Sequence, residues 1–332
     1  MKTNLLAVLA LSLLLAPGAL WSAPAAKAGN GTPTLWDLAA DNDVAGVEKA
    51  LSQGADFNQP SPTGMPLLMW AVQGGHMKIV DWLLEKGVNV NTFHPRAGCS
   101  PLIMAAESLR PEMVDRLLKA GADVNFQTPH DWTALLKAVR VETKTDDGRA
   151  LQTRIVERLL AAKANPDLVN KKKRTALLMA AKAGHAHLLA PLLAAKADLN
   201  AQDYEGSTAL MLAAQKGNIA MVEALLKAGA SLDKNHVCGC SAMLLAAEAG
   251  HDTVVALLLD HGADINGKNE DGMTALMFAA KNGHLAVVNL LLARKARVND
   301  MNNNSETARL LAVEHNHEEV ELRLKEAGGT CF

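Results

Sequence analysis

Apolar positions along most of this chain recur in two alternating formats. One is a short, nearly unbroken run, Thr208-Ala209-Leu210-Met211-Leu212-Ala213-Ala214. The other sets apolar pairs at helical spacing, Met221-Val222 and then Leu225-Leu226, among polar residues. Each format predicts a helix, the second with a single buried stripe. Gly217-Asn218 between them marks a tight reversal, and Gly229-Ala230 marks the end of the second helix. The phrase returns as Thr274-Ala275-Leu276-Met277-Phe278-Ala279-Ala280 with Gly283-His284, Val287-Val288, Leu291-Leu292 and Val298-Asn299. Its heads stand at Thr34, Pro66, Ser100, Thr133, Thr175, Thr208, Ser241, Thr274 and Thr307, so the spacing is 33 residues with small departures and one gap of 42.

Every part of the phrase has a physical role. Ser or Thr at the head can cap exposed backbone N–H groups, and the Ala-Ala pair keeps the first helix slim enough for a neighbour to stack on it. Gly-Ala-Asp-Val-Asn, at Gly121 to Asn125 and with Ile at Gly262 to Asn266, ends the second helix and opens an extended hairpin. A period near 33 built this way resembles the ankyrin-repeat family. The resemblance implies an all-α solenoid of about nine stacked helix-turn-helix units with hairpin loops, over residues 29–332. No unit of that kind buries its own apolar face, so the ends need polar caps, and Glu318, Glu319, Glu321, Arg323, Lys325 and Glu326 supply one.

The chain departs from the family pattern in two places. The family's His in the first helix is replaced by Met69, Ile103, Leu136, Leu178, Met211, Leu244, Met277 and Leu310, so its side-chain hydrogen bond to the hairpin is expected to be missing. Repeat 4 also carries a nine-residue insertion between 139 and 155, expected to extend one rim at the helix-helix turn. Insertions of this kind serve binding or record tolerated drift.

Composition narrows the function. Apolar residues reach 49% with 3% aromatics, so Ala, Leu, Val and Met fill the core. Charged residues make up 20% at a net charge of -2, which excludes a broadly basic surface for nucleic acid. At the N-terminus Lys2 precedes the apolar run Leu5 to Leu15, then Ala16-Pro17-Gly18 and small residues. That layout predicts a secretory signal over 1–25, cleaved near 25–28, and a periplasmic or secreted product with no membrane span after its removal. An uncleaved anchor is the competing reading.

Candidate chemistry is sparse. Cys99 and Cys240 hold one hairpin position four repeats apart, beyond disulfide reach, while Cys238-Gly239-Cys240 could close on itself beside His236. Cys331 falls where the repeat places an apolar Val. Five histidines, His76, His185, His251, His284 and His317, share one slot, which argues for structural use. His315 and His317 with Glu318 and Glu319 form a sparse metal-like group on the terminal cap, read as solvated. No catalytic residue, metal site or cofactor is expected, since no nucleophile–base pairing or phosphate loop occurs.

The family's usual grip uses hairpin tips and the exposed side of the first helices. Carried over residue by residue, it implies a partner-binding surface of Trp132, Arg140, Lys171, Lys172, Arg174, Lys182, Tyr204 and Lys216. Trp, Tyr and Arg anchor interfaces at modest entropy cost. Glu107, Glu248, Glu270, Asp271 and Glu314 would flank this basic centre. The expectation is a non-enzymatic module that binds an exported enzyme with an acidic or mixed-charge surface, inhibiting or protecting it. The alternatives are a solvated charge run at 171–174, and an envelope scaffold or accessory factor for a periplasmic redox enzyme that uses Cys238 and Cys240.

Overall fold

The computed structural model describes residues 33–94, 98–234 and 236–331; the expected signal at 1–25 lies outside them. The described residues form eighteen α-helices and no β-strand, and none of these helices is long and apolar enough to cross a membrane. The chain divides into two compact units at the Ala97–Gly98 junction.

The first unit holds repeats 1 and 2, with helices Leu35–Ala40, Val44–Ser52, Leu67–Gly74 and Met77–Glu85. Its core is Val47, Leu51, Leu67, Leu68, Met69, Val72, Ile79, Val80 and Leu83. The indole N–H of Trp70 donates to the Ala39 carbonyl at 3.1 Å, tying the two repeats. Pro66 offers no side-chain cap; in the hairpin before it, the Ser61 hydroxyl accepts the Met65 N–H at 2.8 Å.

The second unit holds repeats 3 to 9. Its first helices are Pro101–Glu107, Ala134–Arg140, Ala176–Ala183, Ala209–Gln215, Ala242–Glu248, Ala275–Lys281 and Ala308–Glu314, and they pack in a row along which the second helices form a looser layer. Each head residue caps as expected: Ser100, Thr133, Thr175, Thr208, Ser241, Thr274 and Thr307 accept from the N–H three residues on. The thioethers of Met211 and Met277 accept the backbone N–H of Thr208 and Thr274, the head residues of their own helices, at 3.4 Å, which closes a capping box at each helix start.

The hairpins are fixed from within and from the side. Thr128, Asn170, Asp203, Asn269 and Asn302 each accept two backbone N–H groups of their own turn. Asn125, Asn200, Asn266 and Asn299 accept a backbone N–H from the next repeat at 2.8 to 2.9 Å. The tips are then joined by main-chain bonds, Tyr204 to Lys172, Val237 to Glu205, Glu270 to Cys238 and Asn303 to Asp271.

The insertion in repeat 4 lengthens a helix rather than a loop alone: the second helix there runs Asp146–Ala161 from a Thr145 cap, against nine residues in most repeats. Gln152 organises it. Fully buried, its amide donates to the carbonyls of Ala138 and Val141 at 2.9 and 2.8 Å, satisfying the end of the helix Ala134–Arg140. Its oxygen accepts from His187 Nε2 at 2.8 Å. In repeat 5 the second helix opens with the 3-10 turn Ala186–Leu188 before Leu189–Ala194, because Pro191 has no N–H to give to the carbonyl of His187.

Candidate functional site

The eight expected binding residues fall into two clusters and two separate lysines. In the first cluster, Trp132 ends the hairpin of repeat 4 and lies beneath two cations, Lys137 Nζ at 5.3 Å and Arg140 Cζ at 5.0 Å from the ring centre. Both cations also reach Glu107 Oε1 at 2.9 Å. One carboxylate against two cations leaves a net positive charge. Arg140, half exposed, is held by stacking and by an ion pair before any partner arrives, which lowers the entropy cost of engaging one. Glu107, expected on an acidic flank, is part of the basic centre instead. Lys137 was missed, although it sits one helical turn before Arg140 and so shares its face.

The second cluster is the pair of hairpins in repeats 5 and 6. Lys171, Lys172 and Lys173 are exposed at the tip of repeat 5. Tyr204, 64% exposed on the next tip, receives Lys173 Nζ at 5.1 Å over its ring. Arg174 departs from the expectation. Its side chain is 12% exposed and its Nε donates at 3.0 Å to Asp203, itself buried, so it braces two hairpins rather than facing a partner. Lys182 lies in the last turn of the helix Ala176–Ala183 and Lys216 caps Ala209–Gln215, both exposed. Among the described residues, Lys171, Lys172, Lys182 and Lys216 have no ion-pair partner. Glu248, Glu270, Asp271 and Glu314 are exposed in repeats 7 to 9.

The repeated histidines staple repeats. Nε2 of His251, His284 and His317 donates to the carbonyl of Gln215, Glu248 and Lys281 in the preceding repeat, at 3.1, 2.9 and 3.0 Å. His185 does the same through Nδ1 to Val139, and Asn218 fills the slot in repeat 6 by reaching Gly184 at 3.5 Å. His76 lies against Trp70, with ring centres 4.7 Å apart and planes tilted by 38°. His315 Nδ1 is taken by the Leu311 carbonyl.

The cysteines separate by environment. Burial, with the Glu107 charge adding and Lys137 opposing, pushes the Cys99 thiol up to about 11, so it stays protonated and unreactive at neutral pH. Cys331 is free and half-buried. Cys238 and Cys240 are joined in a disulfide across Gly239, with Cα atoms 5.4 Å apart.

Comparison with known proteins bears on the repeats. The family description for ankyrin repeats matches residues 35–128, 149–236 and 229–302. The "Ankyrin repeat, SAM and basic leucine zipper domain-containing protein 1" of Notamacropus eugenii is 34% identical over 119 residues, 36% of this chain and 24% of that protein. Its counterpart in Otolemur garnettii is 35% identical over 123 residues, with 36% and 24% covered. That in Mus musculus is 30% identical over 120 residues, again 36% and 24%. The chain thus spans about a quarter of the length of these curated relatives.

Proposed function

Because this chain belongs to the ankyrin-repeat family and is a protein–protein interaction module, we propose that its basic hairpin face is a clamp, with no catalysis at that face, acting outside the cytoplasm on an exported enzyme. It holds that enzyme by an acidic or mixed-charge surface and inhibits or protects it. The observation that carries this reading is the exposed cation set Lys171, Lys172, Lys182 and Lys216, free of ion pairs among the described residues, with the Lys172 tip bonded to that of exposed Tyr204 and the braced Trp132–Arg140 stack in the preceding repeat. Surface charges that are not neutralised within the chain are available to an opposite surface, and aromatic and Arg anchors supply the buried contact. The location rests on the N-terminal order of Lys2, apolar run and small residues.

A photo-crosslinking residue placed in turn at Lys172, Tyr204 and Lys216, and at the control positions Lys227 and Asp252 on second helices, tests the reading in intact cells. One exported enzyme is expected in adducts from the first three positions and not from the controls. Adducts formed equally from both sets, or an intracellular partner, would contradict it.

A further inference from the structure

The hairpin of repeat 7 departs from the others in a way the fold does not require. Hairpins in repeats 5, 6, 8 and 9 are held by Asn170, Asp203, Asn269 and Asn302. Repeat 7 has His236 at that place and, across Gly239, the disulfide Cys238–Cys240. The stabilisation a disulfide brings by restricting the unfolded chain grows with the loop it closes, and a loop with a single intervening residue lies at the bottom of that scale. Its value therefore lies in its chemistry.

The two sulfurs are not equivalent. Cys240 is 4% exposed, and its Sγ accepts from Asn269 Nδ2 at 3.7 Å. Cys238 is partly exposed, with Sγ 3.3 Å from His236 Nδ1, whose lone pair also receives the Cys238 N–H at 3.4 Å. Beside it Val237 is 63% exposed, and its N–H joins the neighbouring tip that carries exposed Tyr204. An attackable sulfur, a buried leaving sulfur with a hydrogen-bond donor, an adjacent imidazole and a small apolar ledge thus meet on one tip.

We propose that Cys238–Cys240 is a thiol–disulfide exchange site that oxidises the dithiols of extended, cysteine-bearing polypeptide segments. A thiolate of the segment attacks Cys238 Sγ. A mixed disulfide forms, the Cys238–Cys240 bond breaks, and its electron pair leaves on Cys240 Sγ, where the Asn269 amide N–H stabilises the thiolate. The segment's second thiolate then attacks its own sulfur in the mixed disulfide, and the electron pair leaves on Cys238, with His236 Nδ1 placed to relay the proton. The segment loses two electrons and two protons and becomes a disulfide, while the pair on the hairpin gains both. A low-molecular-weight disulfide restores the bridge by the reverse exchange.

Cys240→Ser and Cys238→Ser variants of the full chain, treated with oxidised glutathione and mapped by peptide mass spectrometry, test the assignment. Cys238 in the first variant is expected to form its mixed disulfide at least about tenfold faster than Cys240 does in the second, as exposure and thiolate access dictate. The native bridge is expected to open with dithiothreitol at unchanged helical circular dichroism, and a reduced dithiol peptide is expected to emerge oxidised in step with loss of the bridge. Equal rates at the two cysteines, a bridge that opens only in denaturant, or a dithiol peptide left reduced would overturn the proposal.

Discussion

His284 lies against Gly250 while its Nε2 donates to the Glu248 carbonyl, and the same pairing repeats with His251 on Gly217 and His317 on Gly283. Gly250 has φ +79°, and a Cβ there would stand 2.7 Å from the imidazole, so both backbone and space demand glycine. Gly250→Ala is expected to cost about 1–3 kcal/mol, from left-handed strain and displacement of the staple, read as a lower urea midpoint at unchanged slope. An unchanged midpoint would show that the ring swings away freely. The staple was legible in the sequence because one residue type recurs at one slot. Its partners were not, since backbone carbonyls carry no residue label. Asn218 doing the same work in repeat 6 was missed because a different side chain supplies the donor.

Among the elements, the lengthened helix of repeat 4 shows where sequence reading runs out. Its nine extra residues were evident from the spacing, but Gln152 occurs once and no repetition marks it. Only the fold reveals that it closes three groups at once, the end of a first helix, Thr143 and His187. His187 beside it has its pKa lowered from an ordinary value of 6.5, first by burial and then by the charges of His185 and Arg149. The unfolded chain therefore takes up this proton before the folded one does. Stability from this site is fully present above about pH 6.5 and is lost as pH falls from there through the lower folded value. Denaturant midpoints recorded across that window should fall less steeply for His187→Gln than for the native chain. Identical slopes would remove His187 from the account.

On the scale of the whole molecule, the 33-residue register made the fold readable and also contained more of the site than was extracted from it. Stacking sets a residue beside the one a repeat later, so Glu107 and Arg140, 33 apart, were neighbours in principle. Arg174 instead reaches Asp203 on the adjacent hairpin, 29 residues on, a pairing outside that register that withdraws it from the binding surface. What the sequence did not carry is which lysines stay unpaired, because that depends on side-chain reach. The most direct test is the affinity for the crosslinked enzyme of a variant with Arg140, Lys172, Lys182 and Lys216 all changed to Glu, measured by calorimetry with helical content as control. The expected result is a loss of at least about a hundredfold, as reversal of several interface charges produces, at native circular dichroism. A folded variant that binds as tightly as the native chain would contradict the claim that this surface is the grip.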